Sequence, residues 1–377
     1  MPQESLPEFG ISKNIKRIGR TDLPGGGLVT VENGYAYVGH IDPPCGTSIV
    51  DVRDAKNPKL VSQLEVPEGV HSHKVRVSGD VMLVNYERFK AKKEPQTGLK
   101  VFDISNKSTP REIAFFQTPG KGVHRFTFDG RYAYLSPTLD GYVGNIVMIL
   151  DLKDPTRPEE VGRWWMPGQW IGGGEEPCWE GDAHRCHHPI RRGDRLYVSY
   201  WHGGFLILDI SEMSRPKLVS GLSWNPPYPA PTHTALPIPW KIMDRDILVV
   251  TDEDAQKRAP LPPAFLWIVD ITDETHPVPI STYVLPPSPS SDPEFKVGAH
   301  QPAEQLYDNI LYVTWFSGGL RVLDITNPYS PREVGYYVPQ PGKGQKTVKS
   351  NDVFRSDNGL LCLTDRYDGL EILESQL

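Results

Sequence analysis

Six times along this chain an Asp is followed by a Pro seven residues later, and each Asp closes a short apolar run. The pairs are Asp51/Pro58, Asp103/Pro110, Asp151/Pro158, Asp209/Pro216, Asp270/Pro277 and Asp324/Pro331. Two copies read IVDVRDAKNPKLV at 49–61 and VLDITNPYSPREV at 322–334, and successive Asp residues lie 48 to 61 positions apart. A recurrence of this period means one supersecondary unit used again and again. The motif also has a mechanical reading. The apolar residues make a strand, the Asp carboxylate bonds backbone N–H groups of a turn, and the Pro opens the next strand. These Asp and Pro residues are therefore read as structural.

Upstream of each motif lies a hairpin pattern, as in VRVSGDVMLVN at 75–85, FTFDGRYAYLS at 126–136 and YDNILYVTW at 307–315. Alternating apolar residues around Gly, Asp or Asn turn the chain back on itself. Four strands, A to D, in about 50 residues is a propeller blade. The expectation is an all-β chain, one seven-bladed β-propeller domain over 1–377. Six blades are complete. The last stretch supplies only three strands, and residues 13–24 resemble the missing fourth, so that strand would close the ring and remove an exposed edge. The repeated I/V-L/V-D core resembles the LVIVD-repeat proteins across nearly the whole chain. That resemblance implies a propeller and no particular activity.

Composition sets the outer limits. The net charge of −7 argues against nucleic acid or an anionic membrane as partner. No run of about 18 apolar residues is present, so no membrane span is expected. The N-terminus lacks the apolar core of a signal peptide. The four cysteines form no C-x-x-C pair, which reads as reduced thiols and a cytoplasmic setting. The expected partners are a small-molecule substrate and, as an open alternative, further copies of the chain in a homo-oligomer.

The long connections all fall between strands D and A or between B and C, which emerge on one face of a propeller. They include insertions at 166–184, 251–265 and 286–300. Elaborate loops on one side of a rigid scaffold point to function there. On that same side, five consecutive blades open strand A with a histidine. His71, His124, His184, His233 and His300 hold these positions, and His73 and His188 follow two residues after His71 and His184. Strand alternation puts residues i and i+2 on one face. The pattern does not choose cleanly among His184, His187 and His188. A lone histidine here would be an ordinary polar liner, but five in register suggest a shared ligand. Imidazole is the commonest protein ligand of first-row metals, so Fe, Cu or Zn is expected. Carboxylates such as Glu180 and Asp182 would orient the ligands from behind.

The ends of the B strands reach the same face. They offer Glu87, Asp252 and Glu253 as candidate catalytic carboxylates. Tyr86, Trp201, His202 and Trp315, with Asp352 from strand A of the last blade, are candidate walls of a pocket for a small organic substrate. Trp201 and Trp315 serve equally well as packing between blades. Metal on the axis of a propeller resembles the architecture of carotenoid-cleavage oxygenases and selenium-binding-type methanethiol oxidases, though no motif is shared. The leading expectation is a non-haem oxidoreductase or oxygenase. The alternatives are a redox-neutral hydrolase, lyase or isomerase using a metal, and a binding propeller without catalysis.

Overall fold

The computed structural model describes residues 9–179, 184–255, 262–287 and 294–377. Glu180 and Asp182 lie outside the described residues, as do parts of the three insertions. Among the described residues the fold is all-β: antiparallel strands throughout, one short 3-10 turn at Ile171–Gly173, and no α-helix. No helix there is long and apolar enough to cross a membrane.

The chain divides into two compact units. The first comprises residues 27–53 and 59–223, the second residues 1–26, 54–58 and 224–377. Among the described residues of the first unit the antiparallel strands run out to four last strands, Lys59–Glu65, Arg111–Gln117, Glu159–Trp164 and Lys217–Leu222. The second unit carries two four-stranded antiparallel sheets besides the strands that end on Val278–Tyr283. One of them pairs Ile15–Pro24 with Asp368–Ser375, from Ile15 opposite Ser375 to Pro24 opposite Asp368. Another takes Ile11–Lys13 beside Arg332–Val338, a pairing the sequence reading did not anticipate.

The repeated Asp does what its chemistry suggests. In all six copies its Oδ1 accepts the backbone N–H two residues on, from Arg53, Ser105, Lys153, Ser211, Thr272 and Thr326, at 2.7–3.1 Å. This turn reverses the chain, and each Pro stands one residue before the fourth strand, where no ladder N–H is lost. Just before every Asp the third and fourth strands slip by one residue, for example between Ile207 and Leu208 and between Val322 and Leu323. A bulge of this kind adds twist, which a propeller blade needs. Asp324 also accepts from Arg332 at 2.8 Å. Replacing Asp324 with Ala should cost about 1–2 kcal/mol in urea unfolding, whereas Asn, which keeps the turn acceptor, should cost less. Equal losses would show that the Arg332 pair, not the turn, is what matters.

Inward-facing apolar residues fill each unit separately. In the first, Tyr134, Ile149, Val198, Tyr200 and Leu208 pack together between neighbouring sheets. In the second, Leu320, Val322, Leu361 and Leu373 do the same. These packed sheets are the rigid base from which the histidines project.

Candidate functional site

The histidines sit where the ladder breaks. In the first unit the strand Val70–His71 pairs with Glu87 and Arg88, and pairing resumes only at Val75. Residues 72–74 bulge, held by Asn85, whose Oδ1 accepts the Lys74 N–H at 2.8 Å and whose Nδ2 donates to the Val123 carbonyl at 3.0 Å. Similar slips fall between Val123 and Phe126, around His124, and between His184 and His188, around His187. In the second unit they surround His233 and Asn351. Bulges re-aim side chains, so simple alternation along the strand does not hold there.

The re-aimed rings of the first unit form a row. His71 and His73 stack with centroids 3.6 Å apart, His73 lies 5.4 Å from His124, and His124 lies 4.9 Å from His187. The row ends on Trp201, whose ring is 4.9 Å from His187 and carries the Arg185 guanidinium at 4.1 Å. Two glycines of the first sheet permit the approach to His73. A Cβ on Gly27 would stand 2.3 Å from the His73 carbonyl oxygen, and one on Gly39 2.6 Å from its carbonyl carbon. Leu28 N–H donates to that same oxygen at 2.8 Å.

Donor atoms converge at the start of this row. One ligand atom each from His71, His73 and Glu87 lies within 4.8 Å of the other two. His71 gives its Nδ1–H to the Ile41 carbonyl at 2.5 Å, which turns Nε2 into the ring's available lone pair. Glu87 accepts from His124 Nδ1 at 2.8 and 3.0 Å. A carboxylate behind an imidazole fixes its tautomer and raises its basicity. Burial pushes the His71 pKa down to about 4, against the pull of Glu87. Burial also drives the Glu87 carboxyl up, but the charge and hydrogen bond of His124 outweigh it and the net shift is downward. At neutral pH His71 therefore offers a neutral imidazole and Glu87 an ionised carboxylate, the forms a metal binds.

The other expected residues are placed as follows. His187, not singled out by the pattern, is the member of its trio in the ring row. His184 stacks on Trp179 at 4.9 Å and lies 3.3 Å from Met166 Sδ. His188 is fully buried, its backbone N–H bonded to Ser199 Oγ at 3.1 Å. Tyr86 packs into the core against Phe115 at 5.7 Å. His202 is buried and stands edge-on to Trp201.

In the second unit His233 and His300 stand 4.2 Å apart, and Glu253 is 4.0 Å from one Nε2 and 3.8 Å from the other. His300 gives Nδ1–H to the Asn351 carbonyl at 2.6 Å and packs on Phe316 at 4.5 Å. Arg366 Nη2 stands 3.2 Å from His300 Nε2, so a cation already occupies that flank. Asp252 faces another way. It is fully buried and accepts from Trp224, Thr232 and Trp267 at 2.6–3.2 Å, leaving it the task of holding two stacked indoles. Trp315 is fully buried against Tyr283, and Asp352 is buried on its strand.

One device occurs in both units. Trp201 and Phe316 each precede a residue and a Gly-Gly pair, and each has positive φ, 53° and 45°. Bulky residues rarely adopt that conformation, and such strain gathers at functional positions. Each ring lies against a histidine and a guanidinium: His187 and Arg185 on Trp201, His300 and Arg366 on Phe316.

These features define a class: a β-propeller bearing His/Glu groups that could hold a metal. The LVIVD-repeat family model matches residues 95–118, 192–222 and 305–338, which supports an LVIVD-repeat β-propeller. No curated protein matches it. Among solved structures, a chain of the mitotic checkpoint complex aligns with a TM-score of 0.60 at 12% identity, covering 100% of this chain and 99% of that one. Sqt1 of Saccharomyces cerevisiae aligns at 0.57 and 9% identity, covering 94% and 83%. The computationally designed Ika8 protein aligns at 0.55 and 8%, covering 93% and 96%. At such identities the likeness is one of fold alone.

Proposed function

We propose that this chain is a metalloenzyme acting on a small organic substrate, with a first-row metal held by His71, His73 and Glu87. The observation that carries the reading is the convergence of two imidazoles and one carboxylate within 4.8 Å. Two histidines and one carboxylate with open positions are the donor set of non-haem iron oxygenases, which favours iron and oxidative chemistry. His124, oriented by Glu87, is the adjacent group able to move a proton at Nε2. Trp201 closes the row, its ring flanked by His187 and Arg185.

Four last strands in one unit, and Val278–Tyr283, Arg332–Val338 and Ile15–Pro24 in the other, support a count of seven blades, with Ile15–Pro24 as the outer strand of the last. Cys45, Cys178, Cys186 and Cys362 are all free, which favours the cytoplasm.

The test is elemental analysis of untagged protein, followed by anaerobic loading with Fe(II) and oxygen-uptake measurements across a panel of small organic substrates. About one iron per chain with substrate-dependent oxygen consumption is the expected result. Metal binding with anaerobic turnover would favour the redox-neutral reading. Protein that binds no metal, and whose melting temperature no metal shifts, would leave a propeller used for binding alone.

A further inference from the structure

We propose that Arg366 anchors a separate binding site, in the second unit, for the carboxylate group of a small organic anion. Its inner edge is fixed. Nε donates to Asn351 Oδ1 at 2.6 Å, and Nη2 faces Glu253 Oε1 at 3.4 Å and His300 Nε2 at 3.2 Å. Because His300 gives its Nδ1–H to the Asn351 carbonyl, its Nε2 is the acceptor in this pair when the ring is neutral. The guanidinium lies over the Phe316 ring at 4.9 Å. Among the described residues no protein acceptor takes its Nη1, and the side chain keeps 29% of its surface exposed. A planar cation clamped along one edge and one face presents its remaining N–H groups in a fixed direction. That is the preorganised fork that recognises a carboxylate.

A second cation reinforces it. The Arg366 N–H donates to the Lys349 carbonyl at 2.9 Å, so the two residues are neighbours by backbone pairing. Burial, and next the charge of Arg366, push the Lys349 ammonium down to about 8. A bound anion would relieve that repulsion. The carboxylates nearby are committed: Glu253 to Arg366, and Asp365 to the N–H groups of Lys349 and Tyr367 at 2.6 and 2.9 Å. The strained backbone at Phe316 is what sets the ring beneath the guanidinium.

The experiment titrates the full-length protein with benzoate and, separately, with inorganic phosphate, by calorimetry. Saturable benzoate binding is expected. Arg366→Ala should weaken it by about tenfold or more, the scale of a lost charge-assisted pair. Arg366→Lys, which keeps the charge and the fold but not the fork, should fall between. Glu87→Gln should leave benzoate binding unchanged, which separates this site from the metal reading. Benzoate binding indifferent to Arg366→Ala and Arg366→Lys, or no benzoate binding, overturns the proposal. Phosphate bound in place of benzoate overturns its carboxylate specificity.

Discussion

On the proposed metal site, Glu87→Gln should abolish metal retention while leaving the far-ultraviolet circular dichroism unchanged. Gln keeps the size of Glu but removes the negative charge, and it offers His124 Nδ1–H a single amide oxygen where two carboxylate oxygens now accept at 2.8 and 3.0 Å. Loss of an orienting partner alone typically costs 10–100-fold in metal affinity, and loss of a ligand costs more. The expected fall is therefore about 100-fold or greater by competition with a chelator. His73→Ala should match it, since His73 supplies one of the three converging donors. Glu253→Gln is the control. Glu253 stands between His233 and His300 in the second unit, where Arg366 already supplies a cation. If Glu253→Gln empties the protein and Glu87→Gln does not, the metal has been assigned to the wrong histidines.

The second large effect concerns pH. Burial raises the Asp252 pKa to about 8, even though Trp267, Trp224 and Thr232 all donate to its carboxylate. In the unfolded chain an Asp titrates near 3.9. Between those values the native protein holds a proton that the unfolded chain has released. Stability should thus be greatest below about pH 4 as far as this group is concerned, fall as pH rises, and reach its full deficit above pH 8. Four units at about 1.4 kcal/mol each bound the swing at about 5 kcal/mol. Asp252→Asn removes the titration, although its amide N–H₂ meets one of the three donors and costs about 1–2 kcal/mol at every pH. Urea unfolding at pH 6 and pH 9 should show a steep decline for the native protein and a flatter one for the variant. Parallel profiles would mean that Asp252 is ionised in the fold throughout.

Much of this molecule was legible because its information is local. An Asp that accepts an N–H two residues on, and a Pro that opens a strand, act within a few residues of chain, so six copies announce six equivalent turns. The bulge before each Asp was not legible, since it is a property of how two strands pair. The same limit governed the site. Alternation pairs residues i and i+2, and the rings of His71 and His73 do stack, but across the bulge at residues 72–74 rather than along a regular strand. It could not choose among His184, His187 and His188, because the ladder slips there and His187 is the one carried to His124. Trp315 and Phe316 are neighbours in sequence, yet positive φ at Phe316 turns its ring onto His300 while Trp315 is buried against Tyr283. Arg366 stands at the end of a B strand, which puts it on the histidine face with Phe316 and Asn351, but nothing in the sequence announces these two as its partners.

The sequence by itself determined the repeat, the succession of strands within it, the turn chemistry and the clustering of histidines at strand starts. All of these follow from periodicity and from hydrogen bonds between near neighbours. Only the tertiary structure decided which rings meet, which carboxylate serves a histidine and which holds indoles apart from the site. Those choices depend on bulges and on packing between sheets, where a shift of one residue in register sends a side chain to a different partner.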